Sequence, residues 1–371
     1  MKIGILTYHR AHNYGALLQA YALQTYLRKL GHQAEIIDYW PDYHAEDYQL
    51  MPHFKVLNIK GKVKAILRLV IGYTRILKRN SLYKEFIHEQ FSVHHKPRYL
   101  TKEAMKEIEY DIVVYGSDQI WRRSNLPNFK GFSDVFYGTY PIKVKRKITY
   151  AASMGVIDVN DEDKANIKQM LVNFDAISVR EEALKQLIDE ITGNPVPLVL
   201  DPVFLLEKEE WSQLSQQPIT EIQDKYIFFY QLAASEDAIS FTNKLEAYYG
   251  YKVIEIRGRV EPLLFGDRYF QTASPADFIS LIRNAEIVVS TSFHGVAFSL
   301  LFEKQFYALG MKNNSGRVQS LLNSCDISHR LLSNDDQANF ENKIDYAKVN
   351  LRMATLKNKS KNYLIDEICI K

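Results

Sequence analysis

The sequence has few cysteines, little excess charge and no long apolar stretch at its start, and each shortage removes a class of protein. Its two cysteines, Cys325 and Cys369, have neither metal-ligand spacing nor the pairing density of a disulfide scaffold, which fits a reducing cytoplasm. A net charge of +3 is too small for a nucleic-acid binder, whose electrostatics would need a strongly basic face. The opening segment, Met1 to Thr7, reads as a strand and lacks the apolar core and small-residue cleavage site of a secretory signal. The expectation is a soluble cytoplasmic protein. No internal repeat and no low-complexity tract occurs.

What is present is an ordinary globular composition, 46% hydrophobic and 25% charged over 371 residues. That length exceeds what one core comfortably serves, so two domains are expected. The first forty residues read as a βαβ unit: strand Lys2 to Tyr8, a polar turn, a helix from about Gly15 to Leu30 carrying Leu17, Leu18, Tyr21, Leu23 and Leu27, the stop Gly31, and a strand Ala34 to Tyr39. Further strands are expected at Asp111 to Tyr115, Lys147 to Ala151, Ala176 to Val179 and Pro197 to Leu200. The polar stretch Gln213 to Asp224, with Pro218 inside it, reads as a linker. The pattern then restarts with strands Tyr226 to Gln231, Lys252 to Ile256 and Ile287 to Ser290, alternating with helices Ala238 to Tyr249, Pro275 to Asn284 and His294 to Phe302. Alternation of this kind specifies parallel sheets. The expected organisation is an α/β chain of two Rossmann-like domains, 1–215 and 225–345, with a mostly helical tail from about Asp335 whose final stretch, 346–371, packs back on the first domain.

The chemistry-bearing segments stand where strands end. After the first strand comes His9-Arg10-Ala11-His12-Asn13-Tyr14-Gly15, followed by a helix whose unpaired amides and positive end suit an anion. Asn13 and Gly15 either let backbone approach a ligand or simply cap and relieve the helix. Gly116-Ser117-Asp118 follows another strand and suits a sugar or phosphate contact as well as it suits a cap. Trp121 and Arg122 come next and could line the same cleft, although Trp is more often packing surface. Ser153 follows the strand before it. Arg180 ends a further strand, and its guanidinium is shaped to fork onto carboxylate or phosphate or, equally, onto a neighbouring acid. Asp201-Pro202 reads as a turn. The most informative stretch runs from Ile287 to Ser299, a buried strand, a hydroxyl-rich corner with Ser292, and a helix opening with His294 and Gly295. Imidazole at a helix start is a candidate acid or base whose protonation responds to bound phosphate. Lys60 to Arg79 carries lysines and arginines with no acidic residue. Its apolar members Ile59, Val63, Ile66, Leu67, Val70 and Leu77 fall at helical spacing, so it reads as an ordinary core-facing helix with a basic face or as a peripheral membrane contact.

At these segments the sequence resembles the polysaccharide pyruvyl transferase family, from the first strand to beyond residue 310. The anchors are TYHRAHNYGALLQAYALQ from Thr7, GSDQIW from Gly116, YAASMG from Tyr150, SVRE from Ser178, DPVFLL from Asp201 and SFHG from Ser292. The resemblance implies a GT-B-like fold with an interdomain cleft, phosphoenolpyruvate as donor substrate, a glycan acceptor that can be lipid-linked, and no metal or other cofactor. It implies that Arg180 and His294 contact the donor. Many members carry Arg-Leu-His where this chain has Ser292-Phe293-His294, which leaves Arg257, Arg259 or Arg317 to replace the missing arginine. The expected reaction is transfer of a pyruvyl group to a sugar as a cyclic ketal in the building of capsule or exopolysaccharide. Its expected residues are His294, Arg180 and Asp118 for catalysis, and Asn13, Tyr14, Gly15, Ser117, Ser153, Ser292, Gly295, Arg257 and Arg317 for binding. A nucleotide-sugar glycosyltransferase of the same architecture and a non-catalytic glycan-binding protein are the alternatives.

Overall fold

The computed structural model describes residues 1–41, 44, 59–91, 93, 98–126, 129–140, 142–215, 222, 224–309, 315–333 and 339–370. Most of the expected linker, including Pro218, and the expected tail start at Asp335 lie outside them, as do the side chains of Ile59, Lys62 and Lys64.

The first half is built on β1 (Lys2–Leu6), β2 (Gln33–Ile36), β3 (Glu109–Tyr115) and β6 (Lys143–Thr149), which form a four-stranded sheet in the order β2-β1-β3-β6. All its pairings are parallel, with Ile3 beside Ala34 and Ile112, and Val114 beside Ile148. A small antiparallel ribbon, β4 (Ser124–Leu126) with β5 (Phe129–Gly131), inserts between β3 and β6. The second half holds β7 (Tyr226–Gln231), β8 (Lys252–Arg257), β9 (Ile287–Ser290), β10 (Gln305–Leu309) and β11 (Leu331–Leu332), a five-stranded parallel sheet in the order β11-β10-β9-β7-β8. Each order reverses direction once, between β1 and β3 and between β7 and β9. In open parallel sheets that reversal opens a crevice at the carboxyl ends of the strands, where ligands bind. The α/β class with two Rossmann-like halves is therefore borne out.

The expected strands at Ala176 to Val179 and Pro197 to Leu200 are single bridges, Ile148 to Ala176, Ala152 to Val179 and Val179 to Leu198. Side chains explain this. Thr149 Oγ1 accepts from Ser178 N at 2.8 Å and Ser178 Oγ accepts from Ala151 N at 3.2 Å, so hydroxyls replace part of the ladder.

Helix α1 (Tyr14–Lys29) starts where Asn13 accepts from Ala16 N at 3.2 Å and stops before Gly31, whose φ of +84° lets the chain turn back. It is buried on nearly every face because it lies between the sheets. One continuous apolar cluster joins Ile3, Leu17 and Val114 of the first half to Phe228, Phe278 and Phe298 of the second. Tyr14 stitches the halves together, stacking on Phe278 with centroids 4.6 Å apart and donating to Ala273 O at 2.9 Å.

Helix α2 (Ile59–Phe91) continues well past the expected end at Arg79, because Tyr83, Phe86, Ile87 and Phe91 enter the core while the earlier apolar residues do not. Helices α3 (Asp161–Leu171), α4 (Glu182–Thr192) and α5 (Lys208–Leu214) follow in the first half. The second half carries α6 (Glu236–Tyr249), α7 (Pro275–Asn284), α8 (Phe293–Leu301) and α9 (Gly316–Ser324). The last helix, α10 (Tyr346–Cys369), places Tyr363 Oη 3.0 Å from Thr149 O, Ser360 Oγ 2.9 Å from Leu200 N and Glu367 2.9 Å from Arg146, all residues of the first half.

Trp211 of α5 is fully buried between Tyr21 and Phe298, and its indole donates to Val203 O at 3.0 Å. Trp211→Ala removes packing from both halves at once and leaves Val203 O without its donor. We expect a loss of about 3–5 kcal/mol, read as a lower midpoint in urea unfolding.

Candidate functional site

The crevices of the two sheets face each other and enclose a cleft of about 480 Å³, a volume within the range of small-molecule sites. From the first half it is lined by Tyr8, Ala11, Asn13 and Ala16 beyond β1, by Trp40 and His44 beyond β2, and by Asp118, Gln119 and Arg122 to Leu126 beyond β3. From the second it is lined by Leu232 beyond β7, Ser292, Phe293 and His294 beyond β9, and Arg317 at the start of α9. The amino ends of α1 and α8 thus both meet the cleft, a favourable setting for an anion.

The chain behind β1 is fixed by charge. Asp38 is buried at 2% exposure. Its Oδ1 and Oδ2 accept from Arg10 Nε and Nη2 at 2.6 Å each, and the His9 Nε2 lies 2.8 Å from Oδ1. Burial would raise this carboxyl, but Arg10 and His9 outweigh it and hold the group at about 2 instead of 3.8. Thr7 Oγ1 donates to Ser117 O at 2.9 Å and Gln19 Oε1 accepts from Ser117 N at 3.2 Å, so the β1 and β3 corners move as one piece.

Beneath the cleft lies the charge centre. Asp201 is buried, and its Oδ2 accepts from Arg180 Nη1 and stands 3.5 Å from His294 Nε2. Burial disfavours its ionisation, yet His294 and Arg180 beside it hold the carboxyl well below its usual range. Arg180 is kept above its ordinary value because Asp201, Glu181 and Asp118 outweigh its desolvation. Glu181 Oε1 accepts from Ser153 Oγ at 2.9 Å and from the amides of Met154 at 2.9 Å and Gly155 at 3.1 Å. The guanidinium carbons of Arg180 and Arg317 lie 4.7 and 5.8 Å from the centre of the Phe293 ring. Burial, and next the charge of Arg180, lower Arg317 to about 10. With its carbonyl turned toward Arg317, Gln119 accepts from both terminal nitrogens. Arg180 Nε and Nη2, Arg317 Nε and His294 Nε2 are buried polar atoms with no hydrogen-bond partner among the described residues. Two cations close enough to repel, with N–H groups unspent, are an arrangement that an anion would relieve.

A family model described as polysaccharide pyruvyl transferase matches residues 13–313, most of the chain. The chain belongs to the polysaccharide pyruvyl transferase family. No curated protein matches this transferase in sequence. Among solved structures it is similar to the UDP-GlcNAc 2-epimerase of Neisseria meningitidis bound to UDP-GlcNAc, at 12% identity and TM-score 0.48 over 99% of this chain and 100% of that one. It is also similar to the E. coli heptosyltransferase WaaC with ADP, at 13% identity and TM-score 0.40 over 97% and 100% of the two chains.

Of the residues singled out in the sequence, Asn13, Asp118, Arg122, Ser292, His294 and Arg317 of the transferase line the cleft, and Arg180 lies just behind it on Asp201. Ser117 and Ser153 are buried beneath, donating to Ala151 O at 2.8 Å and to Glu181. Tyr14 is an interface residue. Gly295 makes room for Ser290 Oγ, which a Cβ would meet at 2.1 Å. Arg257 is held by Glu255 at 2.6 Å and does not line the cleft, nor does Arg259, so of the named replacements for the missing arginine only Arg317 does. Trp121 is packing surface, stacked on Tyr137 at 5.2 Å. Sequence reasoning missed Asp201 and Glu181, whose roles come from burial, and the Trp40 and His44 wall.

Gly15 is the contact between the two helix starts. A Cβ there would meet His294 Nδ1 at 1.9 Å. Gly15→Ala therefore displaces the imidazole, and transferase activity falls about a hundredfold with an unchanged far-ultraviolet circular dichroism spectrum.

A second expectation concerns Asp38. Because its folded value is depressed, its contribution is present above 3.8 and disappears as the pH falls toward about 2. Asp38→Asn lowers stability at neutral pH by roughly 2 kcal/mol, and the gap from wild type closes across that acid interval in pH-dependent urea melts.

Proposed function

We propose that this transferase takes a pyruvyl group from phosphoenolpyruvate and places it as a cyclic ketal on a sugar of a surface polysaccharide or of its lipid-linked precursor. The observation that carries the reading is the pair of guanidiniums, Arg180 and Arg317, flanking Phe293 beside His294 with buried N–H groups unspent. Phosphoenolpyruvate is small and carries two anionic groups, a carboxylate and a phosphate, which match such a pair.

In this reading Arg180, Arg317 and the amino end of α8 bind the anionic groups, and Asp201 holds Arg180 and His294 in register. His294 delivers a proton to the methylene carbon of the enol phosphate, which becomes the methyl group. The adjacent carbon takes on oxocarbenium character and is attacked by a sugar hydroxyl, whose proton is released to a base. The bond from that carbon to the phosphate oxygen then breaks and inorganic phosphate departs. Its departure leaves an oxocarbenium ion, to which a neighbouring hydroxyl of the same sugar adds, passing its proton to the departing phosphate and closing the ketal. Asp118 and Asn13, on the opposite wall, are positioned for the acceptor hydroxyls. Tyr8, partly exposed at the cleft, offers aromatic surface on which a sugar ring can lie. The donor is a cytoplasmic metabolite, so the reaction belongs in the cytoplasm.

Phosphate release from phosphoenolpyruvate in the presence of acceptor glycans tests the reading. Wild type releases phosphate only when acceptor is present. His294→Ala loses at least about a hundredfold in kcat, and Arg317→Ala loses chiefly through a raised KM for the donor. Near wild-type turnover in His294→Ala would remove it as the acid. Binding of UDP- or GDP-sugars with no response to phosphoenolpyruvate would favour the glycosyltransferase reading.

A further inference from the structure

The amino-terminal part of α2 presents two faces of different character. Arg68, Gly72, Arg75 and Arg79 lie on the inner one. Arg68 pairs with Glu261 at 3.1 Å, Gly72 packs on Pro262, and Arg75 donates to Pro262 O at 2.6 Å and Leu264 O at 2.9 Å. Arg79 is buried and donates to Gly258 O at 3.1 Å. The loop after β8 is thereby locked to the helix, and the Arg75 guanidinium covers the Phe265 ring at 4.7 Å.

The other face is a stripe of Val63, Ile66, Leu67, Val70 and Leu77, spaced so that all fall within one side of an α-helix. These residues are 61%, 51%, 56%, 68% and 37% exposed, although they are among the most apolar in the chain. The core-facing reading of this segment is thus overturned, since its core-facing side is the arginine side. Lys60 and Lys78 are exposed, and the segment from Lys60 to Arg79 contains no acidic residue.

The geometry points to an anionic bilayer surface as the occupant of this face. A stripe of aliphatic side chains beside unopposed lysines is the pattern of a helix lying in the headgroup plane, where apolar side chains enter the acyl boundary and lysines reach anionic headgroups. A second copy of the chain fits less well, because a symmetric contact would set the same acid-free basic segment against itself. Arginines bonded to the loop carbonyls make the face rigid, so it would dock as a preformed surface. It would hold the transferase at the membrane beside a lipid-linked acceptor. This docking is independent of the donor chemistry.

Flotation of the full chain with vesicles of phosphatidylcholine alone, or of phosphatidylcholine mixed with phosphatidylglycerol, tests it. Wild type floats with the anionic vesicles and not with the neutral ones, and added salt weakens the association. The double variant Leu67→Asp/Val70→Asp and, separately, Val63→Asp/Ile66→Asp each bind at least about tenfold more weakly. Both keep wild-type phosphate release on a water-soluble acceptor. Absence of wild-type flotation with anionic vesicles overturns the inference, as does undiminished flotation of both variants. A wild-type dimer by light scattering that becomes monomeric in either double variant would assign the stripe to self-association and overturn it too.

Discussion

The site depends on a carboxylate that water does not reach. Asp201 has no exposure at its side chain, and a charge in that position is tolerable only if it is paired. Its pairing brings together residues that are distant along the chain, Arg180 of the first half and His294 of the second. The interface between the halves is thereby organised around a charge contact and a packing contact at the same place. Gly15 sits against His294, and Tyr14 beside it stacks on Phe278. Without the carboxylate, the Arg180 guanidinium and the His294 imidazole would lose the buried acceptor that they share.

Around this centre the fold concentrates polar groups with unspent hydrogen-bonding capacity at the strand ends. In both sheets the cleft opens at the reversal of strand order, so its lining comes from short corners held by backbone and hydroxyl bonds. The β1 and β3 corners are tied through Thr7, Gln19 and Ser117, and the corner beyond β6 is tied to Glu181 through Ser153. These contacts leave the cleft walls little freedom, so a ligand would meet a preorganised surface. Trp40, Tyr8 and His44 line the same cleft from the first half.

Much of this architecture was legible in the residues. The alternation of apolar strands with helices gave the sheet class, and β7, α7 and β9 fall on the residues that periodicity assigns them. Strand-end motifs located Asn13, Asp118 and His294 because a parallel sheet presents its strand ends on one side. What was not legible depends on tertiary burial. Asp201 reads as a turn residue beside a proline, and nothing local to it signals that Arg180 and His294 will both reach it. Ala176 to Val179 reads as a strand, yet Ser178 and Thr149 divert its bonds to side chains. The arginines of α2 read as one basic face, although the fold turns some of them onto loop carbonyls and leaves the leucines and valines outside. The choice among Arg257, Arg259 and Arg317 could not be made from spacing, since it rests on which one points across the cleft.

The most direct measurement is a crystal structure of the chain with phosphoenolpyruvate. The account predicts donor density at the base of the cleft, with an anionic group against Arg317 and the methylene carbon within reach of His294. Donor bound away from these residues, or a cleft base filled instead by the base and diphosphate of a nucleotide sugar, would contradict it.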